Sequence, residues 1–304
     1  MKEIKIGIIG FDTSHVSAFT KLINDPSDTF HVPGGRVVAG APTFSPDFDL
    51  SYNRVEGFKK ELVEKYNVKL YDRIEDMLDV VDAVLLESAD GRRHLKEAEP
   101  VIKTGKPMFI DKPFTAGYAD AAKIVQLAEK YKCPIFSCSS LRFDANIQKV
   151  RNDSELGNVL GCDAFSSESR VDVMPGFFWY GIHGIEILFS FMKTGCQSVQ
   201  VFNTDSADIA TGIWKDGRIG VYRGIKKGAS SYGMTVFGEK KVCQTTYNPD
   251  IPMYSMLIKE IMNFFQSGIP PFPIQETLEI VAFMETSLIS EKEKRPVNLK
   301  EIMG

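Results

Sequence analysis

Apolar residues fall along the first half of the chain in two alternating textures. Short runs rich in isoleucine and valine show no alternation, the pattern of parallel strands buried on both faces. They are Ile4 to Gly10, Arg36 to Ala41, Asp79 to Glu87, Pro107 to Ile110 and Pro134 to Cys138. Between them apolar positions recur at helical spacing: through Val16, Phe19 and Leu22, then over Gly57 to Tyr66, Leu95 to Lys103 and Tyr118 to Lys132. Strands alternating with helices in this way predict an α/β fold, a doubly wound parallel sheet with right-handed crossovers.

The texture changes after about residue 140. Asp163 to Val171, Ser198 to Asn203, Ala210 to Trp214, Arg218 to Arg223 and Met234 to Gly238 read as strands with few helices between them. Asp216-Gly217 is a hairpin turn joining two of these. Helices are expected over Ile182 to Met192, Met253 to Gln266 and Gln275 to Lys292. The second half is therefore expected to be α+β, built on an antiparallel sheet. The expected organisation is a dinucleotide-binding Rossmann domain over 1–140 and a second domain over 141–304.

Composition narrows the class. A chain of 304 residues with 43% hydrophobic and 25% charged residues suits two globular domains. No apolar run approaches the ~20 residues that span a bilayer, and Met1-Lys2-Glu3-Ile4-Lys5 enters a strand with no signal-peptide pattern, so a cytoplasmic protein is expected. Five scattered cysteines without a C-x-x-C pair speak against a disulfide framework or a zinc site, and no metal is expected. A net charge of −4 and the lack of a basic block give no reason to expect nucleic acid.

The first strand–turn–helix stands where a G-x-G-x-x-G phosphate loop belongs. Gly10 matches the first glycine, but Asp12 and His15 occupy the second and third positions. Asp12 either caps the helix or brings a carboxylate towards a diphosphate, which is repulsive. The helix N-terminus still offers free N–H groups, with the hydroxyls of Thr13 and Ser14 and the imidazole of His15 beside it. No acid follows the second strand to hold a ribose, since the chain there reads Ala41-Pro42-Thr43-Phe44-Ser45.

Asp111-Lys112-Pro113 follows a strand, at the edge where open α/β sheets bind ligands. Lys112 is either a proton-exchanging group or a surface lysine in a loop. Farther on, Gly181-Ile182-His183-Gly184-Ile185-Glu186 opens a helix with His183 and Glu186 on one face. The preceding Phe177-Phe178-Trp179-Tyr180 is either a pocket wall or a core or subunit-contact cluster.

The order of these pieces, with Leu141-Arg142-Phe143, Gly157-x-Val159 and the closing Gln275-Glu276 and Arg295-Pro296-Val297, resembles the Gfo/Idh/MocA oxidoreductases over nearly the whole chain. The resemblance implies NAD or NADP as cofactor and hydride transfer to or from a sugar-like or polyol hydroxyl. It also assigns to the second domain, 141–304, an open, mostly antiparallel sheet and the substrate and oligomerisation roles, with a homo-oligomer formed through that C-terminal sheet. Lys112 matches the lysine of the family's E-K-P motif, with Asp111 in place of the glutamate. His183 matches the histidine of its D-x-G-x-H motif, and Trp179 stands where the aspartate belongs. Lys112 and His183 are thus the expected catalytic pair. Gly10, Asp12, Thr13, Ser14, His15, Ser88, Asp111 and Lys112 are expected at the cofactor, and Lys112, Arg142, Trp179, Tyr180 and His183 at the substrate. Glu87-Ser88-Ala89-Asp90-Gly91 replaces an A-T-P-N-like stretch, which puts a glutamate near the cofactor's expected place. These departures leave two alternatives open: a non-redox enzyme, or a binding or regulatory protein on the same scaffold.

Overall fold

The structure, a computed structural model, describes residues 3–304. In chain order the first elements are β1 (Ile4–Ile9), α1 (Ser14–Asn24), β2 (Gly35–Ala41), α2 (Asp49–Tyr52), α3 (Val55–Tyr66), β3 (Lys69–Leu70), α4 (Ile74–Leu78), β4 (Ala83–Leu86), α5 (His94–Thr104), β5 (Met108–Ile110), α6 (Tyr118–Tyr131) and β6 (Ile135–Phe136). There follow α7 (Ala145–Arg151), β7 (Val159–Ser167), α8 (Gly181–Met192), β8 (Cys196–Asn203), β9 (Ala207–Trp214), β10 (Ile219–Ile225), β11 (Gly233–Gly238) and β12 (Val242–Thr246). The chain ends with α9 (Met253–Ser267), α10 (Ile274–Glu293), β13 (Val297–Asn298) and α11 (Lys300–Met303). It divides into two compact units. One holds the chain up to Cys138 together with Tyr254–Ile274, and the other holds Ser139–Met253 and Gln275–Gly304. Nearly all of α9, which the sequence alone places in the second half, thus lies in the first unit.

The first unit carries a six-stranded sheet in the order β3-β2-β1-β4-β5-β6, parallel throughout. Strand β4 is buried at every position, as expected of a central parallel strand. The order reverses between β1 and β4, so the loops after β1, β4 and β5 meet at the switch point where such sheets bind ligands.

The second unit is built on a seven-stranded sheet, β12-β11-β7-β10-β9-β8-β13. Every pairing in it is antiparallel except β7 with β10. The β9–β10 hairpin closes on Asp216-Gly217, with Gly217 at φ +85°. Helix α8 packs closely on one face, because Gly184 has no side chain: a Cβ there would lie 2.4 Å from the Tyr222 ring. At alternate strand positions large apolar side chains face out: Leu160, Phe202, Ile219 and Val242 are each more than half exposed.

The differences from expectation are local. The run expected as a strand from Asp79 supplies only Ala83–Leu86, because α4 precedes it and Val80 lies at the surface. The strand expected over Asp163 to Val171 begins earlier, at Val159, and stops at Ser167. Short elements without a full period of pattern (α2, β3, α4, α7, β12, β13 and α11) were not anticipated. No helix among the described residues is long and apolar enough to cross a membrane.

One buried acid in the second unit makes its stability depend on pH. The Tyr222 hydroxyl donates to Glu168 at 2.7 Å, and burial pushes the Glu168 carboxyl up from 4.5 to about 8. The native state therefore holds a proton that the unfolded chain releases, so this contribution to stability falls as pH rises from 4.5 to about 8 and then levels. The loss is on the order of a few kcal/mol. Glu168→Gln keeps an acceptor for Tyr222 but cannot ionise. Melting temperatures at pH 6 and pH 9 should therefore differ less in the variant than in the wild type, by several degrees.

Candidate active site

The phosphate loop begins at Gly10, held at φ +84°, where a Cβ would lie 2.3 Å from Ser88 Oγ and 2.4 Å from the Ser88 backbone nitrogen. This residue must be glycine for both backbone and contact reasons. Asp12 is fully buried. Its carboxylate accepts the Ala89 N–H at 2.9 Å and the Ser51 hydroxyl at 2.6 Å. Burial pushes the Asp12 carboxyl up, against the pull of these two bonds. The helix cap falls to Thr13, whose hydroxyl oxygen accepts the His15 N–H. Asp12 therefore neither caps α1 nor turns to its N-terminus: it ties the loop after β1 to the loop after β4. Ser14, the first residue of α1, is exposed and Thr13 is partly so.

Behind this loop lies a buried cluster of charge. Glu87 N–H donates to Ile9 and Asp111 N–H to Leu86, so the two carboxyls leave the ends of neighbouring strands one residue beyond each ladder. His15, on the first turn of α1, reaches both. Its Nδ1 is 2.6 Å from Asp111 Oδ2 and 3.9 Å from Glu87 Oε2, and its Nε2 is 3.0 Å from the Tyr254 hydroxyl. Its ring stacks on Phe19 at 5.1 Å. Burial pushes the Glu87 carboxyl well up, and the neighbouring Asp111 adds to that. For Asp111, burial acts the same way, but His15 and Lys112 outweigh it and hold the group below its ordinary value. Lys112 stands two residues beyond the end of β5 and is partly buried. Desolvation lowers its ammonium pKa, while Asp111 and Glu87 oppose that shift.

Ser88 and His94 serve the scaffold of this site. The Ser88 hydroxyl is buried against Gly10 and donates to Glu97 at 2.5 Å. The buried His94 ring bridges the carbonyls of Ser88 and Phe114 at 2.7 and 3.0 Å. Arg92 clamps Asp90 and Asp47. That network leaves Asp47, the nearest acid after β2, engaged in an ion pair. Sequence reasoning did not find Tyr254, which lies 239 positions from its partner His15.

In the second unit His183 lies at the start of α8 with Nδ1 2.7 Å from Ser139 Oγ, and its ring meets Tyr180 and Tyr232 edge-on. Trp179 is nearly buried and packs edge-on against Tyr180. Arg142, expected at the substrate, is instead fully buried. Its guanidinium pairs with Glu186 at 2.6 Å and with Glu276. Such a buried triad needs every partner, which removes Arg142 from substrate contact and explains why Glu186 faces inward.

A parallel sheet in this strand order, with a helix N-terminus and a lysine at its switch point, defines a Rossmann-type nucleotide-binding protein. Residues 4–138 match the family model described as the oxidoreductase family with an NAD-binding Rossmann fold, GFO_IDH_MocA. The match covers the first unit, which is thus similar to the NAD-binding unit of the Gfo/Idh/MocA oxidoreductases. No curated protein matches the sequence. Among solved structures, a probable dehydrogenase from Thermotoga maritima superposes with a TM-score of 0.81 at 18% identity, covering 98% of this chain and 100% of the other. Scyllo-inositol dehydrogenase from Lactobacillus casei, solved with NAD(H) and scyllo-inositol, gives 0.78 at 13% identity, covering 98% and 100%. Myo-inositol 2-dehydrogenase from Lactobacillus plantarum gives 0.77 at 14% identity, covering 98% and 99%. These likenesses extend the fold to both units.

The phosphate end of the first unit fits a dinucleotide. The close turn at Gly10 is present, α1 presents its N-terminus with Thr13 and Ser14, and the Asp12 charge is engaged inside. Gly10→Ala should cost ~1–2 kcal/mol for the backbone and ~1–3 kcal/mol for the contact with residue 88. Chemical denaturation should read a loss of that combined size. A wild-type-like midpoint would show that the loop is not held as described.

Proposed function

We propose that the protein is an NAD(P)-dependent oxidoreductase acting on a hydroxyl of a sugar-like or polyol substrate. The observation that carries this reading is Lys112. It stands two residues beyond β5 at the ligand-binding edge of the sheet, in the position of the family's lysine, beside the buried carboxyls of Asp111 and Glu87. The likeness to inositol dehydrogenases supports the substrate class.

In this reading the N–H groups and hydroxyls of Thr13 and Ser14 bind the diphosphate, and Gly10 lets the backbone approach it. A bound nicotinamide supplies the hydride acceptor or donor. Lys112 holds the substrate hydroxyl and exchanges its proton, and Asp111 keeps a negative charge beside the ammonium. His183 is assigned as the second proton-handling group by its motif alone. The outward apolar positions of the second sheet, among them Leu160, Phe202, Ile219 and Val242, suit a face covered in a homo-oligomer.

Fluorescence titration with NADH and NADPH should show saturable binding of at least one. Lys112→Met should leave that binding intact and lower kcat on the responsive polyol by at least ~100-fold. No binding of either nucleotide at millimolar concentration overturns the redox reading. Turnover without net change in nicotinamide absorbance would favour a non-redox enzyme instead.

A further inference from the structure

The cluster behind the phosphate loop contains more than the proposed reaction uses. Glu87 is fully buried, and neither of its carboxyl oxygens has a hydrogen-bond partner among the described residues. A buried polar group left in this way is rare and costly. A proton alone removes the charge of the carboxyl but leaves its donor and acceptor unmade. Glu87 also converges with other ligand-type atoms: one each from His15, Glu87 and Asp111 all lie within 4.8 Å of one another, and all three residues are buried.

From this convergence we infer that His15, Glu87 and Asp111 form a binding site for a first-row divalent metal ion. One imidazole nitrogen and two carboxylate oxygens suit Zn2+, Mn2+, Fe2+ or Co2+, whereas Ca2+ and Mg2+ prefer oxygen alone. Two carboxylates balance the double charge, and the ion would satisfy Glu87 together with its neighbours. Bond lengths of roughly 2.0–2.2 Å place tetrahedral ligand atoms about 3.4 Å apart. The 3.9 Å between His15 Nδ1 and Glu87 Oε2 needs little change, while the 2.6 Å hydrogen bond from His15 to Asp111 must open by less than ~1 Å as the ion replaces its proton. Two groups hold His15 in register: Tyr254 at Nε2 and the Phe19 ring beneath it. The Lys112 ammonium competes with the ion through its attraction to the same carboxyls. No cysteine takes part, so the spacing of the cysteines carries no sign of this site.

The test uses the full chain, stripped with chelator and desalted, and no dinucleotide, so its outcome is independent of the oxidoreductase reading. Mn2+ titration followed by the electron-spin signal of free ion, and Zn2+ titration by calorimetry, should each show one equivalent bound per chain with micromolar Kd. Glu87→Gln and His15→Gln should weaken binding at least tenfold, and the Zn2+-dependent rise in Tm should disappear in both. Should either variant fail to fold, Co2+ added to the wild type serves alone: visible bands from a protein-held ion, abolished by Zn2+, are expected. Absence of those bands, no binding below millimolar metal, or unchanged binding in both folded variants overturns the site.

Discussion

Two carboxyl groups buried side by side cannot both be charged without compensation, and the first unit is arranged around that constraint. The parallel register of β1, β4 and β5 delivers Glu87 and Asp111 to adjacent strand ends, where neither reaches water. Counter-charge has to come from elsewhere in the fold. The Lys112 ammonium supplies it beside both carboxyls, and His15 on α1 adds a hydrogen bond to Asp111. Two unexpected residues, His15 at the third loop position and Asp111 before Lys112, are thereby in direct contact, 2.6 Å apart. The imidazole at this position meets an acid two strands over, and the bond ties the first turn of α1 to the end of β5.

The same reasoning resolves the puzzle of Asp12. A carboxylate in a phosphate loop is repulsive only if it faces the phosphate. Here it turns under the loop, takes the Ala89 N–H and the Ser51 hydroxyl, and joins the loops after β1 and β4. The charge that argued against a nucleotide becomes a brace that shapes the nucleotide's turn, and the first turn of α1 remains available. Gly10 is the complementary half of the brace, since the loop packs on residue 88 too closely for any side chain.

Much of this was legible in the chain. Buried parallel strands announce themselves as unbroken apolar runs, and helices such as α1 and α6 by their period, so the alternating first half could be read directly. Errors arose where an apolar run serves two elements in turn, as from Met77 to Leu86, where a helix end precedes the strand. The ordered motifs led to Lys112 and His15 but not to what holds them. Tyr254 approaches His15 from 239 residues away, and nothing local in α9 marks it. Arg142 was misassigned for the same reason: its partners Glu186 and Glu276 are 44 and 134 positions distant, and a lone arginine carries no sign of whether it will face a ligand or a buried acid.

The distribution of buried charge also separates what the two units contribute. In the second unit the buried charge is largely paired: Arg142 is engaged by two glutamates, and one Glu168 oxygen is met by Tyr222 with Arg170 nearby. In the first unit the account does not close. After His15 has met Asp111, and Asp12 has met the loop backbone, Glu87 remains buried with both oxygens unmet beside a lysine at the ligand edge. Glu168 Oε1 and Thr286 Oγ1 are also buried without a hydrogen-bond partner, but at Glu87 both carboxyl oxygens are unmet and lie beside His15 and Asp111, a convergence that points to a ligand. The open carboxyl, more than the missing glycines, is where this chain departs from a plain dinucleotide-binding unit.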